Sequence, residues 1–198
     1  MTTVTRRRMS AQLRRDQILD VTRQVVESEG FNAVSIDRIA LDCGITRTLI
    51  YQQFGTLPAL LVTMVDREFH TAADGFLRAV QKQPFSEQER FTSALAGVLD
   101  AVDSAPATWR MFLLPPEGGP PELYERLAGA RAITREYLNA ALEAAGQVAG
   151  SDRELTIRMM HAMADELVRL RLQDRKNYTK ERLLAQAEWM SKMLFQRS

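Results

Sequence analysis

"SIDRIALDCGITRTLIYQQF", residues Ser35 to Phe54, holds one glycine between two short helical patterns. In the first, Ile36, Ile39, Ala40 and Cys43 recur at helical spacing, and Ser35 stands just before them, where its hydroxyl accepts from a first-turn amide. Gly44 interrupts that helix, Ile45 is apolar, and Thr46 suits the N-cap of a further helix running through Ile50 to Phe54. Two closely crossing helices need a small residue at the approach and a glycine at the turn, which Ala40 and Gly44 supply. Ile36, Ile39, Ile45 and Ile50 pin the crossing against Val21 and Val25, leaving Arg47, Thr48, Tyr51 and Gln52 on the outward side.

That outward set has the chemistry of duplex recognition. Arginine donates two hydrogen bonds to guanine and glutamine pairs with adenine, while threonine meets a thymine methyl or a phosphate and tyrosine bonds to phosphate. The helix N-terminus at Thr46 adds unpaired amides for an anionic backbone. A mixed polar face is also what a merely solvated helix presents, so the pattern by itself leaves both readings open.

Outward from this stretch, the chain reads as helical. Its 198 residues are 45% apolar but only 7% aromatic, and seven prolines and ten glycines are few enough to leave long periods unbroken. Strand-like alternation is nowhere sustained, so the expected class is all-α. Basic and acidic residues nearly cancel at 26 and 25, so net charge names no partner. Their placement says more: Arg6, Arg7, Arg8, Arg14 and Arg15 precede any acidic residue, making a cationic N-terminal arm that either reaches DNA or is a solubilising tail. The lone Cys43 makes no internal disulfide and reads as a small buried hydrophobe in a reducing cytosol. No apolar run approaches the ~20 residues that cross a bilayer, so a cytoplasmic protein with no membrane partner is expected. An arginine-rich, acid-poor start also suits a transit peptide, but Asp16, Asp20, Glu27 and Glu29 follow within a continuous helical pattern.

Further along, a long helix follows "GTLP", with Leu61, Met64, Val65, Phe69, Phe76 and Val80 at helical spacing. "SAPATWRMFLLPPEGGPP" is the clearest break and encloses a short apolar helix. Trp109, Phe112, Tyr137, Met159 and Met163, near this segment or on facing helices, are the candidates to line a pocket for a largely apolar or aromatic effector; most such residues in a bundle are simply core. In the last two helices, Met160, Met163, Leu167 and Leu170, then Leu183, Ala187, Met190 and Leu194, form narrow seams. They suit an intermolecular four-helix bundle joining two copies, the alternative being the inner faces of one chain's helices.

Catalysis calls for a converging base, nucleophile or metal site. His70 and His161 with scattered carboxylates make no such motif, so no enzyme, cofactor or metal is expected. A pure protein-interaction bundle explains the helices but not the outward face of the helix after Gly44.

From Ile18 to Leu61 the sequence resembles the DNA-binding segment of the tetracycline-repressor (TetR) family, matching its pattern at Gly30, Phe31, Ser35, Ile39, Ala40, Gly44, Ile45, Thr46, Tyr51, Phe54 and Leu60. The resemblance implies an N-terminal three-helix DNA-binding domain with helix-turn-helix over residues 1–56, and a C-terminal helical ligand-binding and dimerisation bundle over 57–198. It implies a regulator, most simply a repressor, that binds double-stranded DNA at a near-palindromic operator as a homodimer and is released by a small-molecule effector. Carried onto this chain, the DNA-contacting set is Arg6, Arg7, Arg8, Ser35, Thr46, Arg47, Thr48, Tyr51 and Gln52. Two positions depart from the family pattern: Leu57 stands where a lysine is usual, and Leu49 where threonine or serine is common. One phosphate contact and one direct readout are therefore in doubt.

Overall fold

The computed structural model describes residues 10–81, 87–144 and 152–195, the side chains of 87–89 and 193–195 excepted. Among these residues the chain is all-α. The helices are α1 (Ala11–Glu29), α2 (Ile36–Cys43), α3 (Arg47–Phe54), α4 (Leu57–Gln81), α5 (Glu87–Ser104), α6 (Pro106–Leu113), α7 (Pro121–Ala144), α8 (Arg153–Gln173) and α9 (Lys180–Phe195), with a 3-10 turn at Phe31–Ala33. No single described helix is long and apolar enough to cross a membrane.

By packing, the chain divides into two units, the first running to Arg67 and taking in Pro116–Leu123, the second holding Glu68–Pro115 and the residues from Tyr124 onward. The sequence suggests a break after residue 56, at the start of α4; the division by packing falls one-third to halfway along that helix instead, because Leu60, Met64 and Val65 of its first turns are wholly buried.

The first unit is built from local signals. Ser10 caps α1 by accepting from the Leu13 amide at 3.2 Å. Ile18, Leu19, Thr22, Val25 and Val26 form its buried face, while Val21, expected there, is only half-buried. The buried Thr22 hydroxyl donates to the Ile18 carbonyl at 2.8 Å, so the face carries no orphaned polar group. Gly118 has φ +76°, and a Cβ there would lie 2.5 Å from Asn32 Oδ1. Only glycine lets this turn close on the 3-10 segment.

In the second unit α5 packs against α6, α8 and α9. Leu95, Leu99 and Val102 of α5 meet Leu167, Val168 and Leu172 of α8 and Leu183 and Ala187 of α9. Each fully buried side chain of this kind stabilises by about 1.5–3 kcal/mol. Leu138 and Leu142 of α7 pack on Ile157 and Met160 of α8. A Cβ at Gly97 would come within 2.8 Å of the Ala79 backbone, so α4 and α5 touch almost main chain to main chain. Asp103 ties α5 to α8 through Arg171, Nη2 to Oδ2 2.7 Å, and this hydrogen bond holds the Asp103 carboxyl below its usual range.

This packing corrects the expected dimer seam. Met160, Leu167, Leu183 and Ala187 are buried inside a single chain, and Leu170 is packed against the same core. Periodicity reports that a face is apolar, not whether the helix meets its own chain or a second copy. Met163 and Met190 are half-buried, and the side chain of Leu194 lies outside the described residues. Among the described side chains, the large apolar groups that remain exposed on these helices are Leu155 (55%) and Met159 (71%) of α8 and Trp189 (57%) of α9.

Candidate nucleic-acid interface and internal cavity

Ser35 has extended backbone and accepts from the Arg38 amide at 3.2 Å, starting α2. Gly44 ends it in the left-handed region at φ 64°, ψ 40°. There the Gly44 amide donates to the Leu41 carbonyl and the Ile45 amide to that of Ala40, both at 3.0 Å. This paired arrangement is a Schellman cap. It satisfies the helix-end carbonyls and turns the chain directly into α3. A Cβ at Gly44 would meet nothing within 4 Å, so the glycine is required by backbone conformation and not by space.

α3 is anchored from below and free above. Ile50 and Phe54 are buried, whereas Thr46, Arg47, Thr48 and Gln52 are exposed and Tyr51 is half exposed. Thr46 occupies the N-cap position, but its hydroxyl caps no amide, contrary to the sequence expectation. Leu49, the departure from the family pattern, is half-buried at the edge of this face. Arg47 pairs with Asp37 of α2, Nη1 to Oδ1 3.0 Å.

Arg15 turns out to position this helix. Its guanidinium stacks on the Phe54 ring at 4.3 Å and donates to the Gln53 carbonyl at 2.7 Å, so it holds the C-terminal end of α3 and is no part of a loose arm. Arg14 donates to Gln17 at 2.8 Å. Arg6, Arg7 and Arg8 lie outside the described residues. Thr56 caps α4 by accepting from the Ala59 amide at 3.2 Å, which places Leu57 at the first helical position. Cys43 is buried, and that burial pushes its thiol up, as a small core hydrophobe requires.

The second unit contains a cavity of about 140 Å³, walled by α4, α6, α7 and α8. Phe69, Phe76 and Leu77 of α4 and Trp109 and Phe112 of α6 make its apolar side. Phe69 meets Phe112 edge-on at 6.1 Å, an arrangement that aromatic quadrupoles favour. An adjoining cavity of about 80 Å³ shares Phe76, Trp109 and Leu113 and adds Tyr137. Burial pushes the Tyr137 hydroxyl up, so it is a neutral donor. At the other side of the larger cavity stand Arg131, His161, Asp165 and Arg169. His161 is buried with Nε2 3.5 Å from Asp165 Oδ1.

Of the expected pocket residues, Trp109, Phe112 and Tyr137 line these spaces. Met159 and Met163 do not: Met159 points to solvent, and Met163 lies on a different side of α8 from the lining His161 and Asp165. Sequence reading did not place Phe69, Phe76, Asp165 or Arg169 at a pocket, and it singled out only the histidine of the polar row His161, Asp165 and Arg169. The last had a visible signal, since three polar residues at four-residue steps line one face of a helix that is otherwise rich in apolar residues.

Residues 18–63 match the sequence profile of the bacterial regulatory proteins, tetR family. The chain carries a tetR-family N-terminal segment. The matched span contains α2, the Gly44 turn and α3 entire, so the geometry above lies within the segment that is similar to the tetR family. The HTH-type transcriptional regulator EthR of Mycolicibacterium smegmatis is 29% identical over 103 residues, 52% of this chain and 48% of that protein. The likeness therefore spans about half the length of that curated relative. Solved structures resemble the fold over nearly the whole chain. A TetR-like transcriptional regulator from Rhodococcus sp. RHA1 superposes with a TM-score of 0.76 at 19% identity, covering 96% of this chain and 100% of that one. FadR from Bacillus subtilis, in complex with stearoyl-CoA, does so at 0.64 and 17%, covering 91% and 97%.

Proposed function

We propose that this chain is a TetR-family, ligand-responsive, sequence-specific DNA-binding transcriptional regulator in the cytoplasm, a repressor released from a near-palindromic operator by a small, largely apolar effector. The observation that carries the proposal is α3 itself: a helix fixed by buried Ile50 and Phe54, with Thr46, Arg47, Thr48, Tyr51 and Gln52 displayed together on its exposed side. Arg47 and Gln52 read base edges in the major groove, and Thr46, Thr48 and Tyr51 hold phosphates. The uncapped first amides of α3 suit the same anionic backbone. Ser35, its hydroxyl engaged as a cap, contributes from the start of α2, and Arg6, Arg7 and Arg8 supply the sequence-independent attraction.

A two-fold dimer presents two such helices, which is why the operator is a near-palindrome. Leu155, Met159 and Trp189 are the exposed apolar groups of α8 and α9 around which two copies meet, joined by half-buried Met163 and Met190. The effector occupies the cavity beside Trp109 and Phe112. The stearoyl-CoA complex of Bacillus subtilis FadR supports an effector with a large apolar part on this fold. An effector acts only through unequal affinity for two arrangements of the protein. Helix α4 is the route, since it carries buried Leu60, Met64 and Val65 in the first unit and Phe69 and Phe76 of the cavity wall in the second.

The test is Arg47→Ala in equilibrium binding to operator and to random duplex. Loss of about 1–3 kcal/mol at a single base pair, with random binding nearly unchanged, is the expected result. An equal loss on both duplexes makes Arg47 a phosphate contact and removes the readout from this position.

A further inference from the structure

The polar side of the larger cavity carries more positive charge than a purely apolar effector explains. Arg131, Arg135, Arg158 and Arg169 surround a depression shared with His161 and Asp165, so four guanidiniums face one carboxylate. Two of the four are committed elsewhere: Arg158 pairs with Glu154 at 2.9 Å, and Arg169 with Glu166 at 3.4 Å and Asp165 at 3.8 Å. Asp165 is in turn shared with His161 at 3.5 Å. Arg131 and Arg135, by contrast, make no ion pair or hydrogen bond with any described residue, although they sit one turn apart on α7, where like charges repel. Arg131 also lines the apolar cavity, beside Leu127, Ala130 and Thr134. An apolar space therefore opens beside a pair of unsatisfied forked donors.

We infer that this site takes an amphipathic anion, with an apolar chain or ring system in the cavity beside Phe69, Phe76 and Trp109 and a carboxylate or phosphate head on Arg131 and Arg135. The inference rests on the effector-pocket reading above and names the chemistry of that effector. An oxyanion accepts paired hydrogen bonds from each planar guanidinium and removes the repulsion between the two. A neutral head leaves that repulsion in place, and a cationic head adds to it. Asp165 does not fill the role from within, because His161 and Arg169 already hold it.

The experiment is calorimetric titration of the full chain with decanoate, decyl phosphate, 1-decanol and decyltrimethylammonium, each below its micelle concentration. Both anions are expected to bind at least about tenfold more tightly than the alcohol, with a preference that shrinks as salt rises, and the ammonium to bind weakest. The better of the two anions identifies the head group as carboxylate or phosphate. In the double variant R131Q/R135Q the preference is expected to fall to about twofold or less while decanol binding persists. Neither arginine supports the fold through a partner, so this variant stays folded, and its thermal melt checks that. Equal binding of decanol and the anions, or an anion preference that survives R131Q/R135Q, overturns the head-group assignment and leaves an apolar effector standing. Failure of all four compounds to bind overturns both.

Discussion

Arg47 and Asp37 face each other across the turn between α2 and α3, Nη1 to Oδ1 3.0 Å, with both side chains largely exposed. A pair this exposed holds with only about 0.2–1 kcal/mol, so duplex DNA can take Arg47 from it. The carboxylate left behind would then sit near phosphates. Asp37→Asn is expected to tighten binding to all duplexes by up to about fivefold at low salt, measured by fluorescence anisotropy. If the variant instead weakens operator binding and spares random DNA, Asp37 holds Arg47 in its reading conformation and the competition argument is wrong.

The exposed apolar groups of α8 and α9 make a prediction about assembly that separates the two faces of the same helix. Met159→Glu combined with Trp189→Glu places charges on side chains that are 71% and 57% exposed in one chain, so the fold is expected to survive and the dimer to fall apart. Met160→Glu, on the buried side, is expected to destabilise the protomer itself by several kcal/mol. Light scattering and thermal melts read both. A dimeric, fully stable M159E/W189E protein would move the interface elsewhere.

His161 supplies a pH dependence. Burial lowers its imidazole below the ordinary value, Asp165 pulls it partly back, and Arg135 and Arg131 push it down again. Because the folded value lies below the unfolded one, the unfolded chain takes up the proton first as pH falls. Stability is therefore full above about 6.5 and declines below it, toward the folded value. Denaturant midpoints at pH 7.5 and 5.5 are expected to show a smaller acid loss in His161→Gln than in the parent. Equal losses would place the acid sensitivity on other groups.

How much of this was legible in the sequence depends on how local the determinant is. The turn at Gly44 and the apolar set beneath α3 are written within twenty consecutive residues, since a left-handed cap and an apolar period act through the nearest neighbours. The role of Arg15 was not readable, because its partners Gln53 and Phe54 are 38 and 39 positions away. The cavity was half readable. Trp109 and Phe112 announce themselves on a short apolar helix between prolines, whereas Phe69 and Phe76 look like any core residues of a long one. The seam of α8 and α9 was seen correctly as apolar, but within one chain α5 covers its Leu167, Leu183 and Ala187 and α7 covers its Met160, contacts too distant in sequence for periodicity to show.

The measurement that bears most directly on the central claim is selection of duplexes from a random pool by the purified full chain, followed by sequencing, with R47A/Q52A run in parallel. The account predicts enrichment of a near-palindrome whose half-sites lie about one helical turn apart, ~34–36 Å, and loss of that enrichment in the double variant. A pool that stays random with the parent protein, or one enriched identically by parent and variant, would contradict the assignment of α3 as the reading helix.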